Sequence, residues 1–268
     1  MNSTRPAPSR RIIRFGPEDD LHGIVHAPDA GSARGFVICA PFGEDAKCAY
    51  RPLYETADLA AEQGWTVLRF DYFGTGNSAG AFEDFTPSRA KDDISAAIAH
   101  LREQGIELVG ALGLGLGASL AFEAVAGHDA EADFLILWQP IVSGEQFYKL
   151  NIKRQLVRQM LTHGKANGGK STGDIIDLDG YSLRKSTIDQ LKSIDLLDYS
   201  PATVPPTLLF QISFTQNMAP DLQALGDACH PAPTSECAVC EPFWKRIGFV
   251  DCSQIYDVTL EWLGTMGE

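Results

Sequence analysis

Gly113-Leu114-Gly115-Leu116-Gly117 is the stretch whose surroundings decide the fold. An apolar run from Glu107 to Leu112 leads into it and reads as a strand. A second apolar run, Leu116 to Ala126, follows and reads as a short helix. A strand that turns sharply into a helix between small residues is the setting of a G-x-S-x-G elbow, which exposes a nucleophile at the top of a sheet. Here glycine, Gly115, stands at the nucleophile position. The amide of Leu116 would supply half of an oxyanion hole. Gly113, Gly115 and Ala118 also satisfy the G-x-G-x-x-A spacing of a dinucleotide loop. That reading lacks an acidic residue at the end of the next strand, because Glu131 and Asp133 precede it.

Outward from the elbow, strands and helices alternate. Ile12–Phe15 and Leu21–His26 read as a hairpin, and Gly35–Ala40 as a strand buried on both faces. Tyr50–Gln63 reads as a helix ending at Gly64, Thr66–Tyr72 as a strand, Pro87–Gln104 as a helix and Phe134–Trp138 as a strand. The alternation stops between Pro140 and Pro205, where helix-like segments appear without a strong strand. It resumes at Thr207–Ser213, Cys237–Cys240 and the helix Cys252–Leu263. Such alternation predicts a mostly parallel, eight-stranded α/β sheet with helices on both faces. With the elbow, it specifies an α/β-hydrolase fold: one domain over 1–268, with a helical lid or cap inserted at 141–205.

The remaining triad members should follow in the order acid, then histidine. After Thr207–Ser213 comes Phe214-Thr215-Gln216-Asn217, with no carboxylate before Asp221. After Cys240 comes Glu241-Pro242-Phe243-Trp244, with no histidine. His230 precedes its strand. Without nucleophile, acid and base, acyl transfer by the usual route is closed.

The net charge of -13 excludes nucleic acid as a general partner, since phosphate binding needs a cationic face. The polar start of the chain, Met1 to Arg11, has no apolar run, and no stretch is long and apolar enough to span a membrane. A cytoplasmic protein with reduced cysteines is the expectation. Local charge departs from the whole. From Glu145 to Lys170 there are six basic residues (Lys149, Lys153, Arg154, Arg158, Lys165, Lys170) against Glu145 alone. Leu150, Leu156, Val157, Met160 and Leu161 add an apolar side. The segment suits a solvated basic face, or contact with an anionic membrane surface or acidic polymer.

Six stretches together resemble the second type of exosortase-system-associated hydrolase, from Phe36 to the C-terminus. They are APFGEDAKCAYR (Ala40–Arg51), LRFDYFGTGNSAG (Leu68–Gly80), LGLGLGASLA (Leu112–Ala121), LILWQPIVSGEQF (Leu135–Phe147), DLDGYSL (Asp177–Leu183) and EPFW (Glu241–Trp244). The WQP block and EPFW are the specific ones. The resemblance implies the same fold, and an elbow that lacks serine. That family usually carries arginine there, so Gly115 departs even from it.

Several residues remain as candidates for a site. Glu44, Asp45, Lys47 and Arg51 are expected in the loop after the third strand, at the sheet edge where ligands bind in such folds. Phe42 belongs to the same loop, which normally supplies the second oxyanion amide. A pocket bounded by Phe42, Gly115 and Phe243 is expected, with Trp138 and Gln139 on its floor and Trp244 beside it. Cys48, and less so Cys39, is a thiol that can replace serine only with a base or positive field nearby. Ser119 is expected to face packing, and Asp71 to close a turn with Gly74, Gly76 and Ser78. Cys229-His230 and Cys237-x-x-Cys240 carry zinc-like residues, but a strand over Cys237–Cys240 would point its cysteines to opposite faces. No metal or cofactor is expected. The function expected is binding of a small-molecule or acyl ligand at a vestigial active site. The alternative is an ester, thioester or amide hydrolase that uses a non-standard nucleophile or residues of the Glu44–Arg51 loop.

Overall fold

A computed structural model describes residues 8–152, 173–178, 180–200 and 202–266. Its centre is an eight-stranded sheet in the order β1-β2-β4-β3-β5-β6-β10-β12. These strands are β1 (Ser9–Phe15), β2 (Leu21–Ala27), β3 (Arg34–Cys39), β4 (Thr66–Asp71), β5 (Leu108–Leu114), β6 (Leu135–Trp138), β10 (Thr207–Ser213) and β12 (Thr234–Val239). β2 runs antiparallel to both its neighbours, and every pairing from β4 to β12 is parallel.

The central parallel strands β3, β4, β5 and β6 are buried on both faces, which is why they are almost wholly apolar, whereas the edge strand β12 is largely exposed. Helices α2 (Pro87–Glu103) and α3 (Leu116–Ala126) cover one face. Helices α1 (Glu44–Glu62) and, at the far end of the chain, Ser253–Thr265 cover the other. The start of α2 follows its sequence: the Thr86 hydroxyl accepts from the Arg89 amide, and Pro87 fills the first helical position. α3 is buried along its whole length except Ala126, so the elbow sits on a rigid central helix.

Two readings of the sequence are corrected here. The helix expected from Tyr50 begins at Glu44, because Gly43 (φ 62, ψ -126) turns the chain directly out of β3 into α1. Glu44, Asp45, Lys47, Cys48 and Arg51 therefore belong to a helix, not to a loop. The insertion between β6 and β10 shows no strong strand in its sequence. Its described part is helical over 144–152 but also holds a hairpin, β7 (Ile175–Leu178) with β8 (Tyr181–Arg184), and then α4 (Lys185–Ser193). The Asp177 carboxylate accepts from the Gly180 amide in the turn, and Leu183 buries itself in the core. These strands are only four residues long, too short for a period-2 pattern to stand out. The basic segment, beyond residue 152, lies outside the described residues as far as residue 172. Short strands β9 (Ala202–Thr203) and β11 (Cys229–His230) pair with each other, and α5 (Pro220–Ala228) lies between β10 and β11. The C-terminal helix Ser253–Thr265 is α6.

His26, fully buried on β2, couples this fold to pH. Burial pulls its pKa down, and Arg69 and Arg10 add to that against the Asp58 carboxylate. Burial likewise lowers His100, packed on Phe15. A histidine lowered in the folded state takes up its proton more readily when unfolded. Its stabilising contribution is complete above the unfolded value of about 6.5 and is lost as pH falls through the folded one. The melting temperature is therefore expected to drop between pH 7.5 and 5.5, and to drop less in His26→Asn, measured by scanning calorimetry. A flat profile in the wild-type chain would contradict this assignment.

Candidate functional site

The elbow has the geometry of a nucleophile turn, with glycine at its apex. Gly115 caps α3 with φ 56 and ψ -121, a region that L-residues enter only under strain. Its amide donates to the Trp138 carbonyl at 3.0 Å, and its carbonyl accepts from the Ala118 and Ser119 amides. The three glycines do different work. A Cβ on Gly113 would lie 2.4 Å from the Ala118 Cα, and one on Gly117 would lie 2.2 Å from the Cys39 carbonyl oxygen. Those two positions exclude any side chain. A Cβ on Gly115 meets nothing closer than Pro41, at 3.7 Å. The space for a nucleophile is present, and the side chain is not. As the first residue of α3, Leu116 has no intrahelical partner for its amide.

The turns after β10 and β12 are held by neutral hydrogen bonds and an ion pair. After β10, Gln211 organises the turn: its Nε2 donates to the Asn217 carbonyl at 2.8 Å and its Oε1 accepts from the Ala219 amide at 2.6 Å. Neutral hydrogen bonds close the loop. After β12, the Phe243 ring is buried against Trp138 and Trp244, while Lys245 reaches across to pair with Asp45 of α1. Trp244 and the Lys245–Asp45 pair thus follow β12.

Two chambers flank the elbow. The first, about 320 Å³, lies on the Leu116 side. Phe42, Phe82, Phe85, Leu116, Leu120 and Tyr181 give it an apolar lining. Phe42 packs at a tilt against Phe82 and Phe85, and Tyr181 closes on both Phe42 and Phe82. At its rim the Tyr181 hydroxyl donates to Glu44 at 3.0 Å, and Lys47 bonds the same carboxylate at 3.2 Å. Hydrogen bonds to Tyr181 and Glu44 both raise the Lys47 pKa, favouring its charged form. The second chamber, about 230 Å³, is reached from Gly115 itself and includes Gln139, Asp45, Asp221, Trp244 and Lys245.

The candidate residues thus divide. Phe42, Lys47 and Leu116 line the first chamber; Gly115, Asp45, Gln139 and Trp244 line the second. The single pocket expected between Phe42, Gly115 and Phe243 is corrected to two, and Phe243 lines neither because its ring is in the core. Trp138 is likewise no pocket floor: it is fully buried on the α6 side, its indole N–H donating to Thr259. Its neighbour Gln139 accepts from the Ile212 amide and sits at φ 45. Arg51 turns away to Glu55 and Phe249. Ser119 is buried and bonded to the Gly115 and Ile141 main chains, as its place on the helix implies. Asp71 caps its turn by accepting from Asn77.

Neither thiol is activated. Burial first, then Glu44 and Asp45, raise the Cys48 pKa, and Lys245 and Lys47 only oppose them. Burial pushes Cys39 up to about 12. Cys237 lies in β12 and Cys240 just past it, and no three potential metal ligands cluster among the described residues. Tyr181, Phe82 and Phe85 are wall residues that the sequence did not single out. Only the DLDGYSL stretch carried a hint of the first.

The sheet order, the crossover helices and the elbow define the α/β-hydrolase fold. Solved structures of this fold superpose over nearly the whole chain: a putative hydrolase from Agrobacterium vitis S4 (TM-score 0.62, 18% identity, 98% of this chain and 100% of that one). The Pyrococcus furiosus esterase Pf2001 matches with TM-score 0.66 and 16% identity, over 96% of this chain and 90% of its own. Est1E from Butyrivibrio proteoclasticus, with ferulic acid bound, matches at 0.62 and 17%, over 91% and 94%. More particularly, a family model for acyl transferases matches residues 50–157, the stretch that contains the elbow. An acyl transferase from Aliivibrio fischeri (strain ATCC 700601 / ES114) is 25% identical over 128 residues, 47% of this chain. The match spans 38% of that relative's own length. No helix among the described residues is long and apolar enough to cross a membrane.

Proposed function

We propose that this chain binds an acyl or similar apolar ligand in the aromatic chamber beside Leu116, without forming an acyl-enzyme. One observation carries the reading: the elbow holds the strained shape of a nucleophile turn, with room for a Cβ, yet residue 115 is glycine. The surroundings support it. The chamber's walls are aromatic and aliphatic, Lys47 and Glu44 give its rim polar groups, and the acid and base positions carry Gln211 contacts and the Lys245–Asp45 pair. Likeness to acyl transferases over residues 50–157 supports an acyl group as the ligand class. The WQP and EPFW stretches support the finer placement with exosortase-associated proteins. The basic stretch beginning at Lys149 supports an anionic surface or polymer as partner.

Methyl octanoate, a neutral ester, tests this. Saturation-transfer NMR should detect its binding, while chromatography finds no octanoate released above the buffer rate. Thr75→Trp, on the chamber wall, should weaken binding at least tenfold. Hydrolysis above background, or binding indifferent to Thr75→Trp, would overturn the reading.

A further inference from the structure

Arg69 is a charged residue in a strand whose other members are apolar or at its ends, and it is only 9% exposed. Strand register sets it between Ile24 of β2 and Ile38 of β3. Its Nε donates to His26 Nε2 at 3.1 Å. An arginine Nε can only donate, so that imidazole nitrogen is the acceptor, and His26 Nδ1 carries the proton it shares with Asp58 at 2.8 Å. Asp58 is in turn held by Arg10. Tyr50 and Tyr54 lie 5.0 and 5.1 Å from the guanidinium carbon. The group is thus gripped at one edge by a histidine and contacted by two aromatic rings.

The far edge is unused. Arg69 Nη2 is buried and has no hydrogen-bond partner, and no carboxylate of a described residue lies within ion-pair distance. A buried cation in that state is costly unless an anion completes it. Beside it is a cavity of about 290 Å³, lined by Arg69 with Ile24, Ile38, Leu53, Tyr50 and Phe70 among others. Asp71 and His22 also line it, but Asp71 is bonded to the Asn77 amide and lies 3.4 Å from His22 Nδ1.

We infer that this cavity is a carboxylate site: Arg69 presents its free edge to the carboxylate of a small, otherwise apolar acid, whose body packs on Ile24, Ile38 and Phe70. A planar guanidinium edge matches a carboxylate's two oxygens. A lone cation, with Asp71 nearby, suits a monoanion better than a phosphate dianion. The inference goes beyond the elbow reading and does not depend on it.

Calorimetric titration of the full chain at pH 7.5 with benzoate and benzamide, and with hexanoate and hexanamide, tests it. Each acid should bind at least tenfold more tightly than its amide, and inorganic phosphate should leave the benzoate isotherm unchanged. Arg69→Gln should erase the preference for acid over amide. Should that variant fail to fold, Arg69→Lys, which keeps charge but loses the planar edge, should cut benzoate affinity about tenfold. Equal affinity for acid and amide in the wild-type chain, displacement by phosphate, or undiminished preference in the folded variants would overturn the assignment.

Discussion

Gly117→Ala is expected to cripple the fold, although it adds one methyl group to a helix. The new Cβ would lie 2.2 Å from the Cys39 carbonyl oxygen and 2.4 Å from that of Ala40. Both are backbone atoms, in and just beyond β3, so no rotamer change relieves the clash. Either α3 moves away from the sheet or β3 bends. Since α3 is buried almost throughout, its neighbours move with it. Overpacking costs about 1–3 kcal/mol and occasionally more; here the upper end is expected, about 3 kcal/mol or beyond. That corresponds to a fall in melting temperature on the order of 10 °C, at roughly 2–4 °C per kcal/mol for a chain of this size. Gly115→Ala provides the contrast. It has room for its Cβ and bears only the backbone strain, about 1–3 kcal/mol. Calorimetry of both variants checks the division between a glycine required by space and one required by conformation. If Gly117→Ala melts no lower than Gly115→Ala, that division is wrong.

Trp138→Ala carries the second large effect. Its ring is fully buried, packs edge-on to Phe243 and donates to Thr259 of α6. Truncating a buried aromatic of this size costs about 3–5 kcal/mol. The expected outcome is a large loss in denaturant stability, with affinity for methyl octanoate within about twofold of wild type once the folded fraction is corrected for. A variant of normal stability that lost binding would return Trp138 to a pocket floor.

Most of the sheet was legible because each buried strand is a short apolar run set off by turn residues. The elbow was legible because two tight backbone approaches, at Gly113 and Gly117, leave glycine as the fitting residue. The start of α1 was not. Glu44, Asp45 and Lys47 read as a polar loop, since the helix begins on Gly43 without a side-chain cap to announce it. Trp138, at the end of β6, and Phe243, in the short 3-10 turn beyond β12, fit core and pocket equally well in sequence; the fold buries both in the core on the α1–α6 side. Tyr181 was out of reach because the contact joins residues 137 apart, Tyr181 and Glu44. Arg69 did leave a signal, a cation in the middle of TVLRFDY, whose partners on β2 and α1 no local pattern names.

The proposed reading is an elbow with the shape of a nucleophile turn, glycine at its apex and no acid or base paired with it. Intact-protein mass spectrometry after incubation with a fluorophosphonate tests it most directly. The wild-type chain is expected to keep its unmodified mass; a stoichiometric phosphonyl adduct on the native fold would contradict the account.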